Sequence, residues 1–453
     1  MEGQAGRAAS PRTAETMRNT LKATWGRNRR VISNFFSLSV VQFANYMAPL
    51  ILIPYLTRVL DLPRYGLVEL ARAISVYFLM LTDYGFSLSA TQEISVHRDD
   101  PNRISEVFSS VMILKLMLVL LSVATLSAAV FAIPKLRADW PVYYLSFLSV
   151  IGMWLFPLWL FQGLERMKRI AVLTVATKLL VIASTFVFVR TSDDYLYVPL
   201  LQSAGAILLG LTGLIVAVRN FPIRFYLPSI DVLRREFYNG WHVFLSKMAT
   251  TLCTTSNIVI LGLLTDNIFV AYYAAGEKIV RAASDGLLVP LGQAIFPHIG
   301  RLASQSRPAA LRFAGRVAVL LAAVTFVISV GLLVGAPAIA RIVLGREVPG
   351  GAVVIRILSF LPLLVGLSHL VGVQILVNFG LKKLFARIVL TAGIVNVVLA
   401  LLLAPSLKHV GVAIGSLTTE VLILIAVYVA LRRSGLSLFA SREKGVDNLR
   451  AVP

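Results

Sequence analysis

Four ionisable residues, Glu277, Lys278, Arg281 and Asp285, fall inside an apolar stretch from Phe269 to Pro297 that is long enough to cross a bilayer. Each such group at mid-membrane costs roughly 2.5–3.5 kcal/mol on insertion scales, so it needs a compensating environment. On a helix, positions 277, 281 and 285 recur at i, i+4 and i+8, and 278 lies three before 281. All four therefore share one stripe. That stripe must face other helices or a hydrated cavity. Two cations and two carboxylates there can bind a charged solute, take up a proton, or pair with one another.

The same audit along the chain finds further charges in or near apolar segments. The cations are Arg72, Lys115, Lys178, Lys247, Lys278, Arg281, Arg316 and Arg356, and the acids are Glu69, Asp83, Glu277, Asp285 and Glu420. Arg316 and Asp83 are expected near span ends, where they can reach the interface. Glu69 with Arg72, and Glu277 with Arg281, are spaced to pair on their own helices. Lys115, Lys178 and Lys247 lie deep, with no acid nearby in sequence. Each needs a carboxylate from another helix or a wet cavity. More positive than negative charge in the interior suits a pathway for an anionic solute, because it replaces the water its head group gives up.

The elements that position these groups are membrane spans. Hydrophobic residues make up 57% of the 453-residue chain and charged ones only 14%, which is unlike a soluble globular protein. Apolar runs of span length predict an all-α polytopic membrane protein with about twelve transmembrane helices, over 34–58, 66–90, 106–133, 140–162, 168–190, 195–218, 237–264, 268–297, 310–334, 350–379, 384–404 and 410–431. Lys and Arg are more than three times as frequent in the segments this register places inside as in those it places outside. Both termini are therefore expected to be cytoplasmic. The first residues are polar and basic, without the apolar core of a cleavable signal peptide. The same asymmetry explains the formal net charge of +21 without invoking nucleic acid.

The expected organisation is a basic tail (1–30), a six-helix bundle (31–219), a linker (220–236) rich in Arg and Pro, a second six-helix bundle (237–432) and a tail (433–453). The halves resemble each other. Gly163-Leu164 and Val172-Leu173-Thr174 recur as Gly380-Leu381 and Val389-Leu390-Thr391, and Tyr65, Glu69 and Arg72 are echoed by Tyr273, Glu277 and Arg281. Six spans per half make these parallel repeats about an axis along the membrane normal. Pro49, Pro54, Pro157, Pro290 and Pro362 lie inside spans and permit kinks. Gly411 and Gly415 form a small-residue packing face.

Other chemistries find no support. There is no P-loop to bind ATP. The five histidines lack ligand spacing, and the single Cys253 cannot assemble a metal site, so no cofactor or metal is expected. Asp193-Asp194 reads as a solvated turn rather than a catalytic pair. Short outer loops leave little room for the extramembrane region of a glycan polymerase or glycosyltransferase, and no enzyme activity is expected.

Two blocks carry a family likeness. The first runs Asn34-Phe35-Phe36-Ser37-Leu38, Asn45-Tyr46-Met47-Ala48-Pro49-Leu50, Pro54-Tyr55-Leu56-Thr57-Arg58-Val59-Leu60, Tyr65-Gly66 and Thr82-Asp83-Tyr84-Gly85-Phe86. The second is Phe156-Pro157-Leu158-Trp159-Leu160-Phe161-Gln162-Gly163-Leu164-Glu165. In these the chain resembles the Wzx-type polysaccharide (O-antigen) flippases of the multidrug/oligosaccharidyl-lipid/polysaccharide (MOP) exporter superfamily. The likeness implies two six-helix bundles around a central cavity, in the bacterial cytoplasmic (inner) membrane. It implies ion-coupled alternating access that moves an undecaprenyl-pyrophosphate-linked glycan between leaflets. The implied partners are that glycan, protons or Na+, membrane lipids, and glycan polymerase and chain-length proteins. Its first, second, seventh and eighth spans would line the cleft.

On this reading Arg72, Lys247, Lys278 and Arg281, with Lys115 and Arg356, bind the pyrophosphate and glycan. Glu69, Glu277 and Asp285 couple to the ion. Tyr46, Tyr77, Trp154 and Trp159 can stack on sugars, although packing explains each of them as well. A cation-coupled drug exporter or a lipid II flippase of the same superfamily is the competing expectation. The lipid II branch typically carries two more spans than this chain has length for.

Overall fold

In hydrocarbon a backbone amide has no water to bond, so apolar segments of this length close their hydrogen bonds within helices. The structure, a computed structural model, describes residues 40–45, 47–345 and 349–437, and among these there is no β-strand. The expected basic tail 1–30, Tyr46 and the chain beyond Ser437 lie outside the described residues.

The helices are α1 (Val40–Val59), α2 (Leu62–Asp83), α3 (Phe86–Val96), α4 (Pro101–Ala132), α5 (Pro134–Ala138), α6 (Trp140–Leu155), α7 (Leu158–Gly163) and α8 (Met167–Phe188). They continue as α9 (Tyr197–Asn220), α10 (Ile230–Thr254), α11 (Ser256–Leu264), α12 (Asn267–Gln305), α13 (Arg307–Leu344), α14 (Pro349–Leu358), α15 (Leu361–His369), a π-helix (Leu370–Val377) and α16 (Lys382–Arg433). Helix starts are locally encoded. Asp61 accepts from the Arg64 amide, Asp100 from those of Asn102 and Arg103, and Ser306 from that of Ala309, each with a proline in the first turn.

Among the described residues ten helices are long and apolar enough to cross a membrane, and α10 with α11, bent by 49°, makes an eleventh. At 1.5 Å per residue the 52-residue α16 would be about 78 Å long, more than twice the hydrocarbon thickness. It breaks at Lys408, whose φ of 52° and ψ of −133° are not helical. The two parts lie against each other: Thr419 Oγ1 donates to Asn396 Oδ1 at 3.4 Å, and Gly411 packs on the Leu403 carbonyl. Twelve crossings result, as the hydropathy pattern predicts.

Several crossings are broken, and not all by proline. The second splits at Tyr84 and Gly85, both at positive φ. A Cβ at Gly85 would lie 2.7 Å from the Gly240 carbonyl, so only glycine allows that crossing. The fourth breaks at Phe156-Pro157 and the tenth before Leu361-Pro362, where the ring removes a helical hydrogen bond. The seventh bends at Thr255 with no proline. Pro290, expected to kink the eighth, lies inside the continuous α12. The expected linker is shorter than its composition suggests, because α10 already begins at Ile230.

The two halves meet chiefly through α2 and α12. A Cβ on Gly66 would sit 1.8 Å from the Asn267 carbonyl oxygen, so the helices touch backbone to backbone there. The face holding the α9–α10 connection is called the linker face below, and the other the opposite face. On the opposite face Thr57 Oγ1 donates to the Val343 carbonyl at 2.5 Å, Arg58 to that of Ile342 at 2.8 Å, and Lys135 to that of Thr265. On the linker face Tyr84 stacks on Phe237 and Phe244. Arg103 bridges Glu93, Glu106 and Glu236, and Arg235 joins Glu106 and Glu236. Tyr65 and Tyr273, the tyrosines of the two Tyr-Glu-Arg sets, are both wholly buried in this central core.

Candidate functional site

Along α2, one turn separates Tyr65 from Glu69 and another brings Arg72 beside it. Glu69 is 3% exposed and accepts from Arg72 Nη2 at 2.8 Å and from Arg72 Nε at 2.9 Å. From α12, Lys278 Nζ reaches its other oxygen at 2.5 Å. One carboxylate thus bridges two cations, leaving one positive charge uncompensated, and ties the two halves together. A turn along α12, Arg281 Nε donates to Glu277 at 2.9 Å, an own-helix pairing that the spacing foretold. Next to these, Asn257 Nδ2 donates to the Tyr273 hydroxyl at 2.9 Å, and Asn396 Nδ2 donates to Asn257 Oδ1 at 2.9 Å. This buried relay joins α11, α12 and α16. It escaped sequence reading because single amides in apolar runs carry no spacing.

Two cavities flank this centre. A chamber of about 450 Å³ opens inside the N-terminal half. Its walls come from α1, α2, α6, α7, α8 and α9, and among the described residues Lys278 is the one contribution from the other half. Glu69, Arg72, Lys278 and Lys178 bring charge to it, while Leu52, Ile53 and Val181 help make its apolar wall. A crevice of about 550 Å³ lies between the halves, lined by α2 from Val76 to Asp83, by Lys115 of α4, and by α10 from Val243 to Thr251. There Lys247 donates to Asp83 and, at 2.6 Å, to Ser87 Oγ. Lys115, 4% exposed, donates to the Met153 carbonyl at 3.3 Å.

The structure gathers the predicted residues unevenly. Glu69, Arg72 and Lys278 meet at the chamber, and Lys115 and Lys247 meet at the crevice. Asp83, expected to reach the interface, instead supplies the carboxylate that Lys247 lacked in sequence. Arg281, Glu277 and Asp285 lie on α12 but line neither cavity. Asp285 has Ser284 Oγ at 3.3 Å and faces Arg281 and His369. Arg356 is exposed on α14 and lines neither cavity. Arg72, Lys247, Lys278 and Arg281 each touch a carboxylate, and the space is divided in two. Of the aromatics, Trp159 is 2% exposed and packs. Trp154 Nε1 donates to the Met112 carbonyl at 3.1 Å, and the Tyr77 hydroxyl lies 2.5 Å from that of Ser256.

Residues 31–303 match the profile of a family described as "Polysaccharide biosynthesis protein". The chain belongs to that family. It is 31% identical over 390 residues to a protein of Escherichia coli (strain K12) named "Putative O-antigen transporter", covering 86% of this chain and 94% of that one. A protein of the same name from Shigella dysenteriae is 29% identical over 402 residues, covering 88% and 99%. These relatives support the Wzx-type flippase resemblance within the MOP superfamily. Among solved structures, one described as "Lipid II flippase MurJ, inward closed conformation" superposes with a TM-score of 0.68 at 12% identity, covering 89% of this chain and 87% of that one. An inward-facing multidrug resistance MATE family transporter of the MOP superfamily gives 0.65 at 13% identity, covering 89% and 100%. At such identity these two establish the fold alone: an all-α polytopic membrane protein of the MOP type.

The charged chamber residue that sequence reasoning leaves outside its predicted site is Lys178. Its sequence shows a deep cation without an acid nearby, and the signal that separates it from Arg356 is depth within α8.

Proposed function

We propose that this chain is a non-catalytic transporter that flips a lipid-linked glycan, an O-antigen-type repeat on undecaprenyl pyrophosphate, from the inner to the outer leaflet of the bacterial inner membrane. The observation that carries the reading is the pair of basic cavities on either side of the α2–α12 contact. Cations outnumber acids in each: Arg72, Lys178 and Lys278 against Glu69, and Lys115 and Lys247 against Asp83. A phosphate-bearing head group leaving water finds compensating charge there. The names of the relatives support the glycan.

In this reading the linker face is cytoplasmic and the termini lie on that side. The two halves alternate between openings, driven by protons or Na+. Carboxylates shared with the cations, Glu69 first, then Glu277 and Asp285, are the groups through which an ion can compete with the cargo for basic partners. The test is complementation in a strain lacking its own O-antigen transporter. The parent chain restores surface glycan, whereas Lys278→Ala and Arg72→Ala, both in the chamber, insert but leave lipid-linked glycan on the inner leaflet. Normal display with both variants overturns the assignment, and no display with the parent chain overturns the function.

A further inference from the structure

We infer that the chamber inside the N-terminal half is a seat for the diphosphate and first isoprene units of a polyprenyl carrier, with Lys178 as the residue that selects for the diphosphate. This rests on the reading of the chain as a lipid-linked glycan flippase. It differs in placing the carrier's head within one bundle rather than in the crevice between the halves.

Three observations carry it. The first is charge. Arg72 and Lys278 share Glu69, while Lys178 has no ion-pair or hydrogen-bond partner among the described residues. The walls therefore hold three cations against one carboxylate. Glu277 is also near Arg72 and Lys278, but it comes with Arg281, so that pair leaves the balance unchanged. Arg72 keeps 40% of its side-chain surface open despite its ion pair, so its guanidinium can serve a second acceptor. A group of charge near −2 neutralises the site.

The second is wall chemistry. Around the basic end stand Leu52, Ile53, Leu56, Val181, Ile182 and Leu209. Asn45, Thr174, Thr177 and Gln202 also line the chamber, but apolar side chains outnumber them, and an apolar wall beside clustered cations suits a phosphorylated hydrocarbon better than a sugar. The third is closeness of backbone. Gly205 lines the chamber where α9 meets α8, and a Cβ there would lie 2.3 Å from Val181 Cγ2. The α8–α9 wall bearing Lys178 is thus tightly packed.

The experiment uses the full chain in nanodiscs and three probes: farnesyl diphosphate, farnesol and inorganic pyrophosphate. Farnesyl diphosphate is expected to bind best of the three. Lys178→Met should weaken it about tenfold or more, the scale of one lost charge-assisted hydrogen bond. Lys178→Arg should retain affinity, and farnesol binding should be unchanged in both. Thr177→Leu, which fills the chamber without altering charge, should also weaken farnesyl diphosphate. Equal affinity for farnesyl diphosphate in the parent, Lys178→Met and Thr177→Leu chains overturns the seat. Pyrophosphate binding as tightly as farnesyl diphosphate overturns the apolar part of the assignment. Farnesol binding as tightly as farnesyl diphosphate overturns the role of Lys178. The two readings fail separately. Gene deletion that blocks glycan display, with Lys178→Met binding the probe normally, removes the seat and keeps the flippase. Normal display after deletion, with Lys178-dependent binding, does the reverse.

Discussion

Lys278 Nζ and a Glu69 oxygen meet at 2.5 Å although 209 positions separate them in the chain. Glu69 is nearly inaccessible, and its other oxygen already holds Arg72. A buried ion pair offers little net stability over apolar packing, but removing one partner strands the rest. Here two cations would be stranded at once.

Glu69→Gln is therefore expected to destabilise the purified protein by about 3 kcal/mol, and Glu69→Gln with Lys278→Met by much less. Thermal unfolding of the two variants beside the parent checks this. Equal melting of parent and Glu69→Gln would mean that the link carries no structural weight.

The Lys247–Asp83 pair lies on an open crevice, with side chains 36% and 27% exposed. Water offsets much of the attraction, so a double-mutant cycle with Asp83→Asn and Lys247→Met should return a coupling of only about 1 kcal/mol. A coupling as large as that of the Glu69 link contradicts a wet crevice.

Gly66→Ala pushes a methyl into the Asn267 carbonyl. Overpacking of backbone against backbone has no flexible side chain to yield, and a loss of about 1–3 kcal/mol is expected. Gly286→Ala, where a Cβ meets nothing within 4 Å, serves as the matched control and should melt like the parent.

Lys135, between spans on the opposite face, donates to the Thr265 carbonyl. Burial pulls its proton affinity below the ordinary 10.5, and nearby Asp266 opposes that only in part. The folded chain thus releases this proton at lower pH than the unfolded chain does. Unfolding takes up a proton in that window, so stability should rise as pH climbs from the folded value toward 10.5. Lys135→Met removes that rise. Parallel melting curves against pH for the two proteins would contradict it.

The count of crossings and the own-helix pairs Glu69–Arg72 and Glu277–Arg281 were legible because periodicity and the i, i+3 and i, i+4 spacings are local. Lys247 was legible only as a problem, since its acid arrives from α2 through packing that no spacing records. The bend at Thr255 was not legible at all. Its run of threonines is apolar enough to continue a helix and has no ring to stop one. Arg356 shows the converse: a cation in an apolar run reads the same whether or not its helix brings it to either cavity.

The backbone contact of Gly66 with Asn267 has a mechanical consequence. Backbone meets backbone there with no side chain between, so in the proposed rocking of the halves this closest approach is the natural fulcrum. Glu69 lies three residues away, about 4.5 Å along the helix, and Asp83 lies seventeen, about 25 Å. Any rocking that leaves Glu69 and Lys278 in reach therefore carries Asp83 and Lys247 more than five times as far. In the proposed cycle the inner linkage can persist while the outlying one has to open.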